Sequence, residues 1–292
     1  MARKKEKKKT SFWKDFGLGF RSYGKAFKLL FSTRMGFALF VPLVLLIVLI
    51  FGGWELRSML KDYVNDYLMD VTTLDNANTW WKEGLSWMLQ AMITIIFGVL
   101  FFLIFAYFGG YIVLMILSPV LALLSEKTEE LELGTKYPFD IVQLARDIFR
   151  GIGIALRNLF LELGIMLLVV IAGYVPVIGW IASAFGWIAM FFVSSYFYGF
   201  SFLDYSLERR RLTVKESVKL IRKRKGVAVA NGMIFSFVLM LPVIGVILAT
   251  FFAVVSAVAA SISMNEVFET EEEYKDIPQK LMAKKKELNE KN

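Results

Sequence analysis

The chain contains no cysteine and no histidine. Their absence removes thiol nucleophiles, disulfides, imidazole bases and Cys/His metal sites together. It also leaves nothing that would report the redox state of a compartment. No GxxxxGK[ST] phosphate loop occurs, so the chain is not expected to hydrolyse ATP, and no cofactor is expected. Charge is scarce as well: 21% of residues are Asp, Glu, Lys or Arg, against 57% hydrophobic and 15% aromatic. Over 292 residues that is too little polarity to cover a water-soluble domain. Membrane embedding is the first reading. The opening MARKKEKKK is not a secretory signal, because lysines stand where an apolar run would be needed. Prolines number only six, and two of them recur in the same four letters, PVIG at 176–179 and 242–245.

What charge there is lies in blocks. Residues 1–36 carry eleven Lys/Arg against two acids, and residues 204–225 carry nine against three. Residues 1–15 read as a basic cytoplasmic tail. The pattern FGLGFRSYGKAFKLLF follows, with Phe16, Phe20, Tyr23, Phe27, Leu30 and Phe31 on one side of a helical wheel. Arg21, Lys25 and Lys28 fall roughly opposite. An amphipathic helix lying in the membrane interface is expected, weakened by Gly17, Gly19 and Gly24.

Residues 37–54 are uncharged and long enough for one crossing, with Pro42 marking a bend at the start. Residues 55–84, with three basic and six acidic residues, read as an external loop. A second uncharged run, 85–117, exceeds a single crossing and is expected to tilt, kink near Gly109-Gly110 or project. Counting Lys/Arg puts both heavily basic segments, and with them both termini, on the cytoplasmic side.

Each PVIG then has its two feet on the cytoplasmic side. Residues 163–203 and 226–265 contain no charge at all, so neither turn carries the polar tip usual on the far side. The expected hairpins are 158–203 and 226–264. The arm 226–241 is only ~24 Å if helical, short of a ~30 Å hydrocarbon core. Two readings follow: turns buried within the membrane and covered by other helices, or tight complete crossings with apolar tips. In the first, Pro176, Gly179, Pro242 and Gly245 expose helix N-termini inside the membrane. Their unpaired N–H groups and positive dipole ends favour an anion.

The ordered set GKAFKLLF…VPLVLL, SPVLALLSEKTEE, VPVIG, LDYSLERRRLTVKES, RKRKG and LPVIG resembles the CysZ sulfate permease family, which shares a domain with etoposide-induced 2.4 membrane proteins. The resemblance covers residues 16 to about 266. It implies an all-α integral membrane protein with an N-terminal amphipathic helix, two long transmembrane helices and two hairpins that penetrate only partway. It also implies a bacterial inner-membrane location, a homo-oligomer with a hexamer as precedent, and sulfate uptake without ATP. The expected organisation is therefore one membrane domain over 16–265 and a charged cytoplasmic tail over 266–292. The family's sulfate motif, Gly-Leu-Arg before the first span, falls on Ala26, Phe27 and Lys28. Alanine replaces the glycine that lets an oxyanion approach the backbone. Gly24, with Arg21 and Lys25, offers a second approach.

Ser118, Pro119 and Glu126 match the family's segment at the cytoplasmic end of the second span, and Asp204-Tyr205 its Asp-Tyr pair at the foot of the first hairpin. These are expected to be structural or gating residues. Glu126 is expected to pair with Arg146 or Arg150, and Asp204 with Arg209 or Arg210 or with the cap of the next helix. Glu162 is expected to pair with Arg157 or Arg150 and not to relay protons. Lysines and arginines on the interfacial helix also suit anionic lipid. Nucleic acid is disfavoured, because the run Arg222–Lys225 abuts a hairpin and lacks interleaved aromatics. An aspartyl membrane protease is excluded, since Asp204 has no second aspartate near the apolar stretches. Two functions remain: an oxyanion permease, with sulfate first, or a non-transporting lipid-binding scaffold of the same fold.

Overall fold

The computed structural model describes residues 11–44, 80–134, 141–241 and 244–271 continuously, together with scattered residues of 47–66. Seven α-helices are named here: α1 (Phe12–Ser32), α2 (Trp80–Leu133), α3 (Ile141–Gly173), α4 (Ile178–Arg209), α5 (Val214–Lys223), α6 (Lys225–Leu239) and α7 (Ile244–Thr270). A 3-10 helix, Arg34–Leu39, follows α1. The chain divides into two compact units, 41–109 and the remainder. In the smaller unit the described residues are helical, and much of 45–79 lies outside the described residues.

The helices Phe108–Leu133, Ile141–Gly173, Ala184–Arg209 and Ile244–Thr270 are each long and apolar enough to cross a membrane, and Lys225–Leu239 is a shorter apolar helix. The architecture is that of an all-α membrane protein. In the larger unit, α3–α4 and α6–α7 form the two hairpins, joined by α5, and α1 packs across α6 and α7.

Small residues let these helices meet. Gly199 of α4 and Gly232 of α6 lie back to back. A methyl at 199 would sit 1.8 Å from the Ala228 carbonyl oxygen, and one at 232 would sit 1.8 Å from that of Ser195. Ser195/Gly199 and Ala228/Gly232 are both i, i+4 pairs, the small-xxx-small pattern of close membrane helix packing. Gly19 serves α1 in the same way, since a methyl there would come within 2.7 Å of the Ala230 side chain. Around Tyr23, Ala26 and Leu30, the core continues through Leu124, Val254, Val258 and Ile262.

The buried face of α1 is Asp15, Leu18, Gly19, Ser22, Tyr23, Ala26 and Leu30. The expected aromatic stripe is therefore split. Tyr23 and Leu30 turn inward, whereas Phe20, Phe27 and Phe31 stay exposed. In lipid an apolar side chain gains nothing by turning inward, so the small residues define the packed face.

The hairpins are longer and less alike than their charge-free stretches suggest. Arms of 33 and 32 residues make the first ~50 Å long, ample for a complete crossing. Its ascending arm begins at Ile141, not near Asn158, and the Arg150 charge in those first turns is absorbed by ion pairs with Asp204 and Glu208. The second hairpin has one arm of 15 residues, ~22 Å. That arm ends at Leu239, whose side chain packs on Gly110, as does the Tyr198 hydroxyl. From Tyr198 the first hairpin runs on for ~30 Å to its turn. Along that outer half Leu168, Ile171, Trp180, Phe185 and Trp187 are exposed.

Helix α5 begins with a reciprocal capping box: the Glu216 amide donates to Thr213 Oγ1, and the Thr213 amide donates to the Glu216 carboxylate at 2.7 Å. The Thr213 amide and the Thr213 hydroxyl, which also donates to the carboxylate at 2.8 Å, hold the Glu216 carboxyl below its usual range. A lowered folded-state value means that the stabilisation is complete above the ordinary glutamate range and fades as pH falls through the lowered value. Thr213→Ala is expected to cost about 1 kcal/mol of local stability. Amide exchange in α5 at neutral pH should rise in the variant, and acidification should bring the wild type towards it. Equal exchange in the two proteins at neutral pH would refute the cap.

Candidate functional site

One end of the larger unit gathers the ionic groups. Arg150 of α3 grips Asp204 of α4 through both carboxylate oxygens, Nε to Oδ2 at 2.9 Å and Nη2 to Oδ1 at 3.0 Å. It also donates to Ser217 Oγ at 2.8 Å and to the Leu212 carbonyl, and pairs with Glu208 at 2.5 Å. The guanidinium thus makes four hydrogen bonds and one further ion pair. One layer away Glu129 of α2 takes Arg209 at 2.7 Å and Arg210 at 2.9 Å. Arg209 also reaches Ser125, and Ser125 meets Ser261 of α7 at 2.6 Å. Arg210 lies 3.7 Å over the Phe268 ring. Asp15 and Arg224, both almost fully buried, pair at 3.3 Å and tie α1 to the junction of α5 and α6.

These contacts correct several pairings. Asp204 is held by Arg150, not by Arg209 or Arg210, since Glu129 occupies those two. Glu126 makes no ion pair among the described residues; Arg150 is already occupied and Glu129 supplies the carboxylate of that segment. Ser118 is fully buried, hydrogen-bonds Tyr205 and donates to the Ile148 carbonyl at 3.3 Å. Pro119 lies inside α2. Spacing along the sequence brings Arg209 nearer to Asp204 than Arg150, which is why the tertiary pairing was missed. Asp15 was missed because a lone acid in a basic block reads as solvated.

The residues expected to bind an anion separate into two faces. Gly24, Lys25 and Lys28 are exposed, as is Arg21, whose Nε returns to the Gly17 carbonyl at 3.3 Å. Lys25 pairs loosely with Glu266 at 3.6 Å. Arg21 and Lys28 have no carboxylate within ion-pair distance among the described residues. Phe27 is exposed beside Phe31, with their rings stacked 6.4 Å apart. Ala26 departs from expectation. It is fully buried in the contact with α7, so its methyl faces the core and neither contacts nor obstructs a solute on the outer face. Gly24 has nothing within 4 Å of a would-be side chain and is open to close approach.

The hairpin turns also differ from expectation. At the first, Val177 adopts φ 68°, an unusual conformation for a β-branched residue, just after Pro176. Gly179 is required because a methyl there would lie 2.2 Å from the Gly173 carbonyl oxygen, and its amide donates to Val175 O at 2.7 Å. Gly245 is held similarly against the carbonyls of Val238 and Leu239 and donates to Leu241 O at 2.9 Å. Pro242 lies outside the described residues. In both turns the N-terminus of one helix abuts the carbonyl end of its neighbour. Opposed dipole ends offset each other, so these termini are poorer anion sites than their sequence suggests.

Deeper in the larger unit, Glu162 of α3 accepts hydrogen bonds from Tyr111 of α2 at 2.5 Å and from Ser194 of α4. Among the described residues it does not meet an arginine. Arg157 turns instead to Asn158 Oδ1 at 2.9 Å and lies 5.4 Å over the Phe200 ring.

Long apolar helices and small-residue crossings define a multi-pass membrane protein. The model of the family described as Sulfate transporter CysZ/Etoposide-induced protein 2.4 matches residues 22–250, and the chain belongs to that family. No curated protein matches it.

Proposed function

We propose that the chain is an ATP-independent oxyanion permease, with sulfate as its substrate, seated in a bacterial inner membrane with both termini in the cytoplasm. Family membership supports transport of this kind. The observation that carries the reading is the state of the cations. Arg150, Arg209, Arg210 and Arg224 are buried and carboxylate-bound, whereas Arg21 and Lys28 stand exposed beside Gly24 without a carboxylate among the described residues. Cations left uncompensated beside an open backbone are suited to a hydrated oxyanion, which they bind as point charges and donors. The short arm of the second hairpin suits partial penetration, and the bare outer half of the first suits burial in lipid or against other copies in a homo-oligomer such as a hexamer.

Labelled sulfate entering proteoliposomes of pure protein tests the reading. Wild-type flux should exceed that of empty vesicles, and Lys28→Ala together with Arg21→Ala should lower it on the order of tenfold or more, the worth of a charge-assisted hydrogen bond. Flux no greater than in empty vesicles would sink it. One observation favours a lipid-binding scaffold instead: α1 exposes Trp13, Phe20 and Phe31 alongside its lysines, a combination that also suits an anionic bilayer surface. Vesicle binding that depends on anionic lipid, with no sulfate flux, would select that reading.

A further inference from the structure

Arg157 of α3 is half-buried, and among the described residues no carboxylate lies within ion-pair distance of it. The other arginines that the bundle encloses, Arg150, Arg209, Arg210 and Arg224, each have one. Arg157 is nevertheless firmly held. Its Nη1 donates to Asn158 Oδ1 at 2.9 Å, and its guanidinium carbon lies 5.4 Å from the centre of the Phe200 ring. Asn158 is itself anchored to α4, donating to the Phe197 carbonyl at 3.1 Å and to Ser201 Oγ at 3.0 Å. One N–H of the guanidinium is thereby used, and the others have no hydrogen-bond partner among the described residues.

A second arginine and a phenol complete the niche. Tyr196 of α4 packs edge-on against Phe200, with ring centres 6.4 Å apart, and its hydroxyl has no hydrogen-bond partner among the described residues. The charges of Arg157 and of Arg222, near the end of α5, both act on that phenol. Arg222 is exposed, and it too lacks a carboxylate within ion-pair distance among the described residues. Lys215 and Lys219 precede it on the exposed face of α5, whereas Ser217, Leu220 and Ile221 are buried. Three helices thus bring two uncompensated guanidinium groups and a free hydroxyl together.

Beyond the niche the surface is apolar. On α3, Phe160 and Leu161 follow Arg157 by three and four residues, on the same face, and both are exposed. On α4, Phe192 stands one turn before Tyr196 and is exposed as well. Both tracks lead away from the ionic end, towards the charge-free stretch 163–203. Cations at the foot of an apolar track, on helices that cross a membrane, match both halves of one molecule, a phosphate head and its acyl chains. A hydrated inorganic anion would use only the first half.

We propose that Arg157, Arg222 and Tyr196 form a binding site for the phosphodiester of an anionic lipid, whose acyl chains lie along Leu161 and Phe192. Arg157, planar and preset by Asn158 and Phe200, takes the phosphate oxygens as a fork. Arg222 adds charge from α5, and Tyr196 donates its hydroxyl. The bound lipid bridges the first hairpin to the short helix that joins it to the second. The site is built on other helices than Arg21 and Lys28, and it stands or falls independently of sulfate transport.

Native mass spectrometry of the full-length protein in detergent, with phosphatidylglycerol added, tests the assignment. A discrete adduct is expected, severalfold stronger than with phosphatidylcholine, whose choline cancels the phosphate charge. Arg157→Gln with Arg222→Gln should weaken it on the order of tenfold or more, and Tyr196→Phe severalfold. Arg21→Ala with Lys28→Ala should leave this adduct in place. On the wild-type protein, a phosphatidylglycerol carrying a diazirine in its acyl chain should cross-link to the segments of α3 and α4 that hold Leu161 and Phe192. Excess sulfate should displace the lipid no more than chloride does at equal ionic strength. Greater displacement by sulfate would assign the cations to a free oxyanion and overturn the proposal. So would equal binding of the two lipids, undiminished binding to the double glutamine variant, or cross-links confined to α1.

Discussion

Gly199→Leu is expected to abolish the folded, monodisperse protein in detergent, and Gly199→Ala to lower its stability by about 3 kcal/mol or more. The contact between α4 and α6 is made of backbone. At position 199 the first added carbon would occupy the place of the Ala228 carbonyl oxygen, 1.8 Å away, and 2.7 Å from its carbon. No rotamer relieves that clash, because Cβ has none and the obstructing atom belongs to a helix. The helices must separate, forfeiting dispersion contacts along the crossing, and in lipid those contacts rather than water exclusion hold helices together. Overpacking of a core with flexible neighbours costs about 1–3 kcal/mol, and rigid neighbours place this site at or above that range. Gly232→Ala should behave alike. The internal control is Gly164→Ala in α3, where a methyl meets nothing within 4 Å. There the gain in helix propensity, about 1 kcal/mol, should appear as unchanged or raised stability. Size-exclusion profiles and reversible unfolding in mixed detergent would report both. Equal behaviour at 199 and 164 would refute the crossing.

The second large effect belongs to Arg150. Its side chain is 14% exposed, against 3% for Asp204 and 11% for Glu208, so water screens the cluster little. Removing the cation in Arg150→Ala leaves two carboxylates without compensation, for an expected loss of about 3–5 kcal/mol. Asp204→Ala should cost less, because Glu208 still balances the guanidinium. The signature of a buried ionic cluster is non-additivity. A triple variant, Arg150→Met with Asp204→Leu and Glu208→Met, should recover much of the loss, since no charge is left unpaired. Unfolding free energies of the singles and the triple decide the matter. A loss below ~1 kcal/mol for Arg150→Ala, the range of a surface pair, would show that the cluster is solvated.

The sequence was most legible where the membrane imposed its own arithmetic. Charge-free runs, their lengths and the repeated proline-glycine pairs led to two hairpins and long apolar helices, and those are present. Legibility failed where a rule from water was carried into lipid. On α1, the aromatic stripe marked an apolar face, yet Phe20, Phe27 and Phe31 remain outside. The packed side is set by Gly19, Ser22 and Ala26, which a hydrophobic wheel ranks low. Residues 141–157 looked like a polar segment because they hold Arg146, Asp147, Arg150 and Arg157. The structure makes them the first turns of α3: Arg150 meets Asp204 and Glu208 of α4 and Ser217 of α5, Arg157 lies over Phe200 of α4, and Asp147 is met by Gln143 of its own helix. The same gap hid the hydroxyl cradle of Glu162, because Tyr111 and Ser194 lie 51 and 32 residues away. Of the residues expected to bind an anion, Gly24 and Lys28 are exposed, while Ala26 belongs to the core.

The unequal hairpins have a mechanical corollary. Two helices touching at glycines have no interlocking side chains at that point, so the contact resists separation far more than it resists rotation. It acts as a fulcrum, with a long free lever on one side: from Gly199 to the turn before Ile178 is ~30 Å of helix. A swing of ~10° at the fulcrum would carry the tip ~5 Å, about one helical turn, for almost no displacement at the anchored, charge-clamped end.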